Sequence, residues 1–154
     1  MMTKRAALAA AGAFLAGMAV GVGTLGARAA PVRKYINVPA RPIVAPFSDA
    51  VLAGDTLYLA GRLGFDQSGK LPADPVSEAR LVLEGVKSVL AAADMTMDDI
   101  VSVQVFCTDL SLFEKWNGLY RGYFGHDLPA RAFIGAGSLL RGARFEMQAI
   151  AVRR

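Results

Sequence analysis

Two residues near the C-terminal end carry the chemistry most directly: Arg131, in Pro129-Ala-Arg-Ala-Phe-Ile, and Glu146, in Arg144-Phe-Glu-Met-Gln-Ala-Ile. An arginine presents a planar fork of N–H donors that matches a carboxylate with two parallel hydrogen bonds. Around Glu146 the types alternate: Arg144, Glu146, Gln148 and Ile150 share one face of a strand, Phe145, Met147, Ala149 and Ala151 the other. A carboxylate in mid-strand needs a partner if its face is packed. Arg131, on the preceding strand, is the candidate. Pattern alone fits two roles equally, a structural ion pair across two strands or the polar anchors of a small-molecule site.

Other constellations lack parts. His126, the one histidine, stands between Gly125 and Asp127 in a loop, so neither a metal centre nor a serine triad can be assembled around it. The single cysteine, Cys107, excludes an intramolecular disulfide. It alternates with Val101, Val103 and Val105, which predicts a small buried apolar residue rather than a nucleophile. Gly135-x-Gly137 lacks the strand-to-helix context and the lysine of a phosphate loop.

The elements that must hold Arg131 and Glu146 follow from periodicity. A proline-rich lead-in, Ala30 to Pro46, allows an edge strand at Lys34 to Val38. Ala50 to Ala53 and Thr56 to Ala60 flank Gly54-Asp55 as a hairpin, and Gly61 to Asp74 reads as a loop. Asp74 caps a helix with Pro75 at its first position and an apolar stripe from Val76 to Leu90, ending near Ala93. Ile100 to Thr108 alternates as a half-buried strand. Asp109 and Ser111 open a second helix, whose stripe of Leu112, Phe113, Trp116, Leu119, Tyr120, Tyr123 and Phe124 predicts core packing. Strands at Ala130 to Ala136 and Ala143 to Val152 follow. The order β-β-β-α-β-α-β-β predicts an α+β two-layer sandwich, a mixed six-stranded sheet with both helices on one face. The other face must be polar or meet another subunit.

The first residues stand apart. Lys4 and Arg5 precede an unbroken run, Ala6 to Gly26, of apolar and small residues that ends in Ala27-Arg28-Ala29, the pattern of a signal peptide over residues 1–29. Export, to a periplasm in a bacterium, and a single domain over residues 30–154 are expected. An uncleaved run of this length would instead anchor the chain in a membrane. The whole chain carries a formal net charge of +4. Removing Lys4, Arg5 and Arg28 leaves 14 basic against 13 acidic residues, so charge gives no reason to expect a nucleic-acid partner.

The run Pro129-Ala-Arg-Ala-Phe-Ile-Gly-Ala-Gly-Ser-Leu and the later Phe145-Glu-Met resemble the signature of the Rid family, the reactive intermediate deaminases also called YjgF or L-PSP. Ala45-Pro-Phe-Ser, Leu59-Ala-Gly, Val105-Phe-Cys-Thr-Asp-Leu and Asn117-x-x-Tyr-x-x-Tyr-Phe support the resemblance, which spans roughly Tyr35 to Arg154. It implies a chorismate-mutase-like fold and a homotrimer with clefts between subunits. It also implies hydrolysis of 2-imino acids or enamines to 2-keto acids and ammonia, with no cofactor and no metal. In those terms Arg131 holds the substrate carboxylate, Glu146 orients water, and Phe47, Gly61, Asn117 and Phe133 line the substrate.

Departures from the deaminase branch cluster at that cleft. Phe47 replaces a tyrosine, Ala60 a serine and Phe133 a cysteine, and the loop from Phe124 to Pro129 is short. The pocket so implied is bulkier and less polar, suited to a 2-imino acid with an apolar side chain. Two other readings stand beside it: a non-catalytic binding protein for a small carboxylate or hydrophobic metabolite, and, ranked last, an endoribonuclease.

Overall fold

A glycine at the first central position lets two short apolar runs close into a hairpin: Gly54 adopts φ 61°, a value open to a residue without Cβ. The hairpin joins β2 (Ala50–Ala53) to β3 (Thr56–Leu63). The computed structural model describes residues 32–39, 45–125 and 127–154. The expected signal peptide and His126 lie outside the described residues.

The remaining elements are β1 (Arg33–Ile36), α1 (Pro75–Ala91), β4 (Ile100–Cys107), α2 (Phe113–Tyr120), β5 (Ala130–Gly135) and β6 (Phe145–Val152). Their order is the expected one. Asp74 caps α1, its carboxylate accepting from the Ser77 N–H and hydroxyl at 2.8 Å each. Asp109 accepts from the Ser111 N–H and caps a 3₁₀ turn, Leu110–Leu112, that leads into α2.

Strand order in the sheet is β1-β2-β3-β6-β4-β5, antiparallel except for the parallel β4/β5 pair. The α2 crossover carries the chain from β4 to a parallel neighbour, so β6 enters the middle, between β3 and β4. Both helices pack on one face. Val82, Leu83, Val86, Val89 and Leu90 of α1 and Trp116 and Tyr120 of α2 bury against Val103, Val105, Phe145 and Met147 of the sheet. On the open face Tyr35, Val51, Tyr58 and Ile150 stand in one cross-strand row, and both tyrosines are exposed.

Two expectations shift. The β4 register slips between Ile100 and Ser102, and this bulge turns Val101 out to 47% exposure, away from the buried valines. β3 runs to Leu63 rather than Ala60, because a second register shift between Leu59 and Arg62 lets it keep pairing with β6. Gly61 therefore lies in a strand, not in a loop.

Candidate active site

Alternation on β6 gives Glu146 its side: Phe145, Met147, Ala149 and Ala151 are buried under the helices, and Glu146 lies between them on the open face. Two buried ion pairs hold it there. Glu78 of α1, fully buried, accepts from the backbone N–H groups of Arg144 (2.6 Å) and Phe145 (3.1 Å) and from Arg144 Nε (2.6 Å). This fixes the entry into β6. Asp49, also fully buried, pairs with Arg62 Nη1 at 2.5 Å and accepts from the Val38 N–H, which pins β3 beside its bulge. Gly61 then passes directly beneath the Glu146 carboxylate. A methyl group at Gly61 would overlap that carboxylate. Among the described residues the Glu146 side chain has no hydrogen-bonding partner, although it is half-buried.

Arg131 is built on the other face. It pairs in register with Val103, on the helix side of the edge strand β5. Its Nη2 donates to Asn117 Oδ1 of α2 at 2.7 Å, and Asn117 is buried. The guanidinium lies 4.7 Å from the ring centre of Tyr120 and 5.7 Å from those of Phe113 and Phe133. Such cation–π contacts contribute about 0.5–2 kcal/mol each, more as water is excluded. Burial pushes the Tyr120 hydroxyl up to about 12 against the lowering effect of Arg131, so a neutral ring meets the cation. No carboxylate pairs with Arg131 among the described residues, and four of its five N–H donors are uncommitted. It opens into a cavity of about 380 Å³ lined also by Phe113, Asn117, Tyr120, Leu128 and Pro129.

The structure thus brings Arg131, Asn117 and Phe133 together, and separately Glu146 and Gly61. Phe47 belongs to neither group; it is exposed on the approach to β2, four strands across the sheet from β5. The expected pairing of Arg131 with Glu146 does not occur. Consecutive strands here are not neighbours, since β4 intervenes. Arg131 is level with Ala149 and Glu146 with Ile134, on opposite faces. From strand spacing and rise their Cα atoms are roughly 14 Å apart. Arg144, expected on the Glu146 face, instead turns toward α1 to meet Glu78. Phe113 and Tyr120, read from sequence as core stripe alone, line the Arg131 cavity. Their spacing of seven with Asn117 between them puts all three on one side of α2, the available signal. Among the described residues no three His, Cys, Asp or Glu side chains come within range of a shared metal ion.

The model of the family described as endoribonuclease L-PSP matches residues 38–153. The chain belongs to this L-PSP, or Rid, family. It is 37% identical over 125 residues to the mouse 2-iminobutanoate/2-iminopropanoate deaminase, an alignment covering 79% of this chain and 93% of that one. It is 35% identical over 119 residues to the RutC family protein PH0854 of Pyrococcus horikoshii, covering 76% and 93%. Among solved L-PSP folds it resembles E. coli TdcF with bound serine, with a TM-score of 0.74, 31% identity and coverage of 79% and 99%. The L-PSP fold accounts for the mixed sheet with its two helices.

Proposed function

We propose that this chain hydrolyses 2-imino acids to 2-keto acids and ammonia, in a cleft where the β5 edge of one copy meets the open sheet face of another, most simply in a homotrimer. The observation that carries the reading is Arg131: a half-buried guanidinium, braced by Asn117 and three rings, with no carboxylate partner among the described residues. A substrate carboxylate completes it. Glu146 is the complementary group, a half-buried carboxylate with free acceptor capacity. The exposed tyrosines of the open face supply apolar surface for the contact between copies. Relatives named as imine deaminases support the reaction class.

The chemistry asks little of the protein because an imine carbon is already electrophilic. Arg131 holds the acid group; Glu146 takes a proton from a water as its oxygen bonds to the imine carbon. The imine nitrogen gains that proton to give a carbinolamine, whose hydroxyl proton passes through Glu146 to the amino group as the C–N bond breaks, leaving the keto acid and ammonia. One water is consumed for each keto acid and ammonia formed. No cofactor is required. The test is keto-acid and ammonia release above the spontaneous rate from 2-iminopropanoate generated in place, and equal rates for wild type and Arg131→Ala would overturn the reading.

Phe47, Ala60 and Phe133 favour a second reading, a binding protein for a small carboxylate or hydrophobic metabolite, because each lacks a polar group that the deaminase branch carries. Saturable 2-keto acid binding with no imine hydrolysis would decide for it. RNA cleavage ranks below both, since the domain is near neutral; cleavage surviving repurification would reverse that. The amino-terminal apolar run supports export, which cell fractionation of the full chain tests.

A further inference from the structure

The cavity at Arg131 is unlike on its different sides. Of the three rings around the guanidinium, Phe113 keeps the most surface, 37% exposed against 2% for Tyr120, with Phe133 half-buried. Phe113 is also braced. The Phe133 ring meets it edge-to-face at 5.0 Å and 82°, and Phe133 is backed at 6.2 Å by the fully buried Trp116. Leu128, 51% exposed, and Pro129 line the same cavity. Its other charged groups, Glu114 on α2 and Arg121 just past its end, stand three residues before and four after Asn117, and both are exposed. Exposed charges remain hydrated at little cost, whereas apolar surface beside a desolvated cation gains by being covered.

We infer that Phe113 is a specificity-determining residue of this site: with Leu128 and Pro129 it takes an apolar ligand side chain of three or more carbons in preference to a methyl or hydroxymethyl group. A carboxylate bound by the guanidinium fork places its carbon about 4 Å from Cζ. The Phe113 ring, centred 5.7 Å from Cζ and lining the same cavity, offers a ligand side chain the most accessible of the three ring surfaces. A side chain of three or more carbons covers more of that surface than a methyl or hydroxymethyl group does. Phe133 is a positioning residue, acting through Phe113. It occupies the place two residues after the arginine where a cysteine would leave Phe113 unsupported. The inference rests on the reading of Arg131 as a carboxylate anchor, but not on turnover, because a 2-keto acid offers the same carboxylate and side chain as the imine.

The experiment measures two quantities on the full chain: kcat/KM for imines generated in place by an amino-acid oxidase from leucine, alanine and serine, and calorimetric affinity for 4-methyl-2-oxopentanoate, pyruvate and hydroxypyruvate. The leucine-derived member is expected to lead each series by about tenfold or more. Phe113→Ala and Phe113→Leu should shrink that lead, chiefly through KM. Phe133→Ala should do the same, and Phe133→Leu should restore part of it, which loss of fold alone would not. Equal values across the wild-type series, or a lead unchanged in both Phe113 variants, overturns the inference. Ordered keto-acid binding with no imine hydrolysis sustains it while removing the deaminase reading; hydrolysis without order does the reverse.

Discussion

Arg131 and Glu146 occupy opposite faces of one sheet, two strands apart and three residues out of register, so neither reaches the other within a protomer. A site using both takes one from each of two copies. Arg131→Ala and Glu146→Gln should each be inactive alone, and an equal mixture, unfolded and refolded together, should regain about a quarter of wild-type activity by random pairing around a closed ring. No recovery would place both groups in separate functions.

At Arg131 the fork matters as well as the charge. Arg131→Lys keeps a cation but loses the bidentate geometry and the stacking on Tyr120. A loss of about tenfold to a hundredfold in 2-keto acid affinity is expected, larger for Arg131→Ala, by calorimetry. Asn117→Ala, which frees one N–H and the guanidinium's orientation, should fall between wild type and Arg131→Lys.

Glu146 is expected to act on the rate and not on binding. Glu146→Gln should lower kcat by about 10²–10⁴ with little change in keto-acid affinity. Gly61→Ala should mimic it by displacing the carboxylate, at a stability cost of about 1–3 kcal/mol for overpacking. Retention of full kcat in Gly61→Ala would remove Glu146 from the chemistry.

The buried Glu78–Arg144 pair is structural. Glu78→Ala leaves Arg144 Nε and two backbone N–H groups without their acceptor, while the Arg144 Nη groups keep the Ala73 and Pro72 carbonyls, and should cost about 3–5 kcal/mol, read as a lower denaturant midpoint. Glu78→Gln, which keeps one acceptor oxygen for both backbone N–H groups and loses only the oxygen that meets Arg144 Nε, should cost less.

Cys107 should be inert in the native state. Burial pushes its thiol up from the ordinary cysteine range, and the thiol donates to the Asp109 carbonyl at 3.1 Å, so it is held protonated and unreactive. Alkylation is expected only after unfolding; rapid native labelling would contradict the burial.

Element types were legible because their signals are local. Asp74-Pro75, Gly54-Asp55 and the two-residue alternation of β6 each act within a few positions. The same alternation puts Glu146 on the face opposite Phe145 and Met147. What could not be read was which strand lies beside which. Pairing is decided by the crossover through α2, and placing β6 next to β5 made Arg131 and Glu146 look like neighbours. The bulges at Gly61 and Val101 were hidden for a related reason: a register slip is set by the partner strand, not by the residues that slip. Phe113 was concealed by its own stripe, since a ring on a buried helix face and a ring at the end of it look alike in sequence.

The central place of β6 also governs the order in which the molecule is made. During synthesis β3 and β4 both precede it, and each keeps an unpaired edge until β6 has left the ribosome. Shortening the chain by its last ten residues would remove the middle of the sheet rather than its margin, and would open two sticky strand edges to other nascent chains.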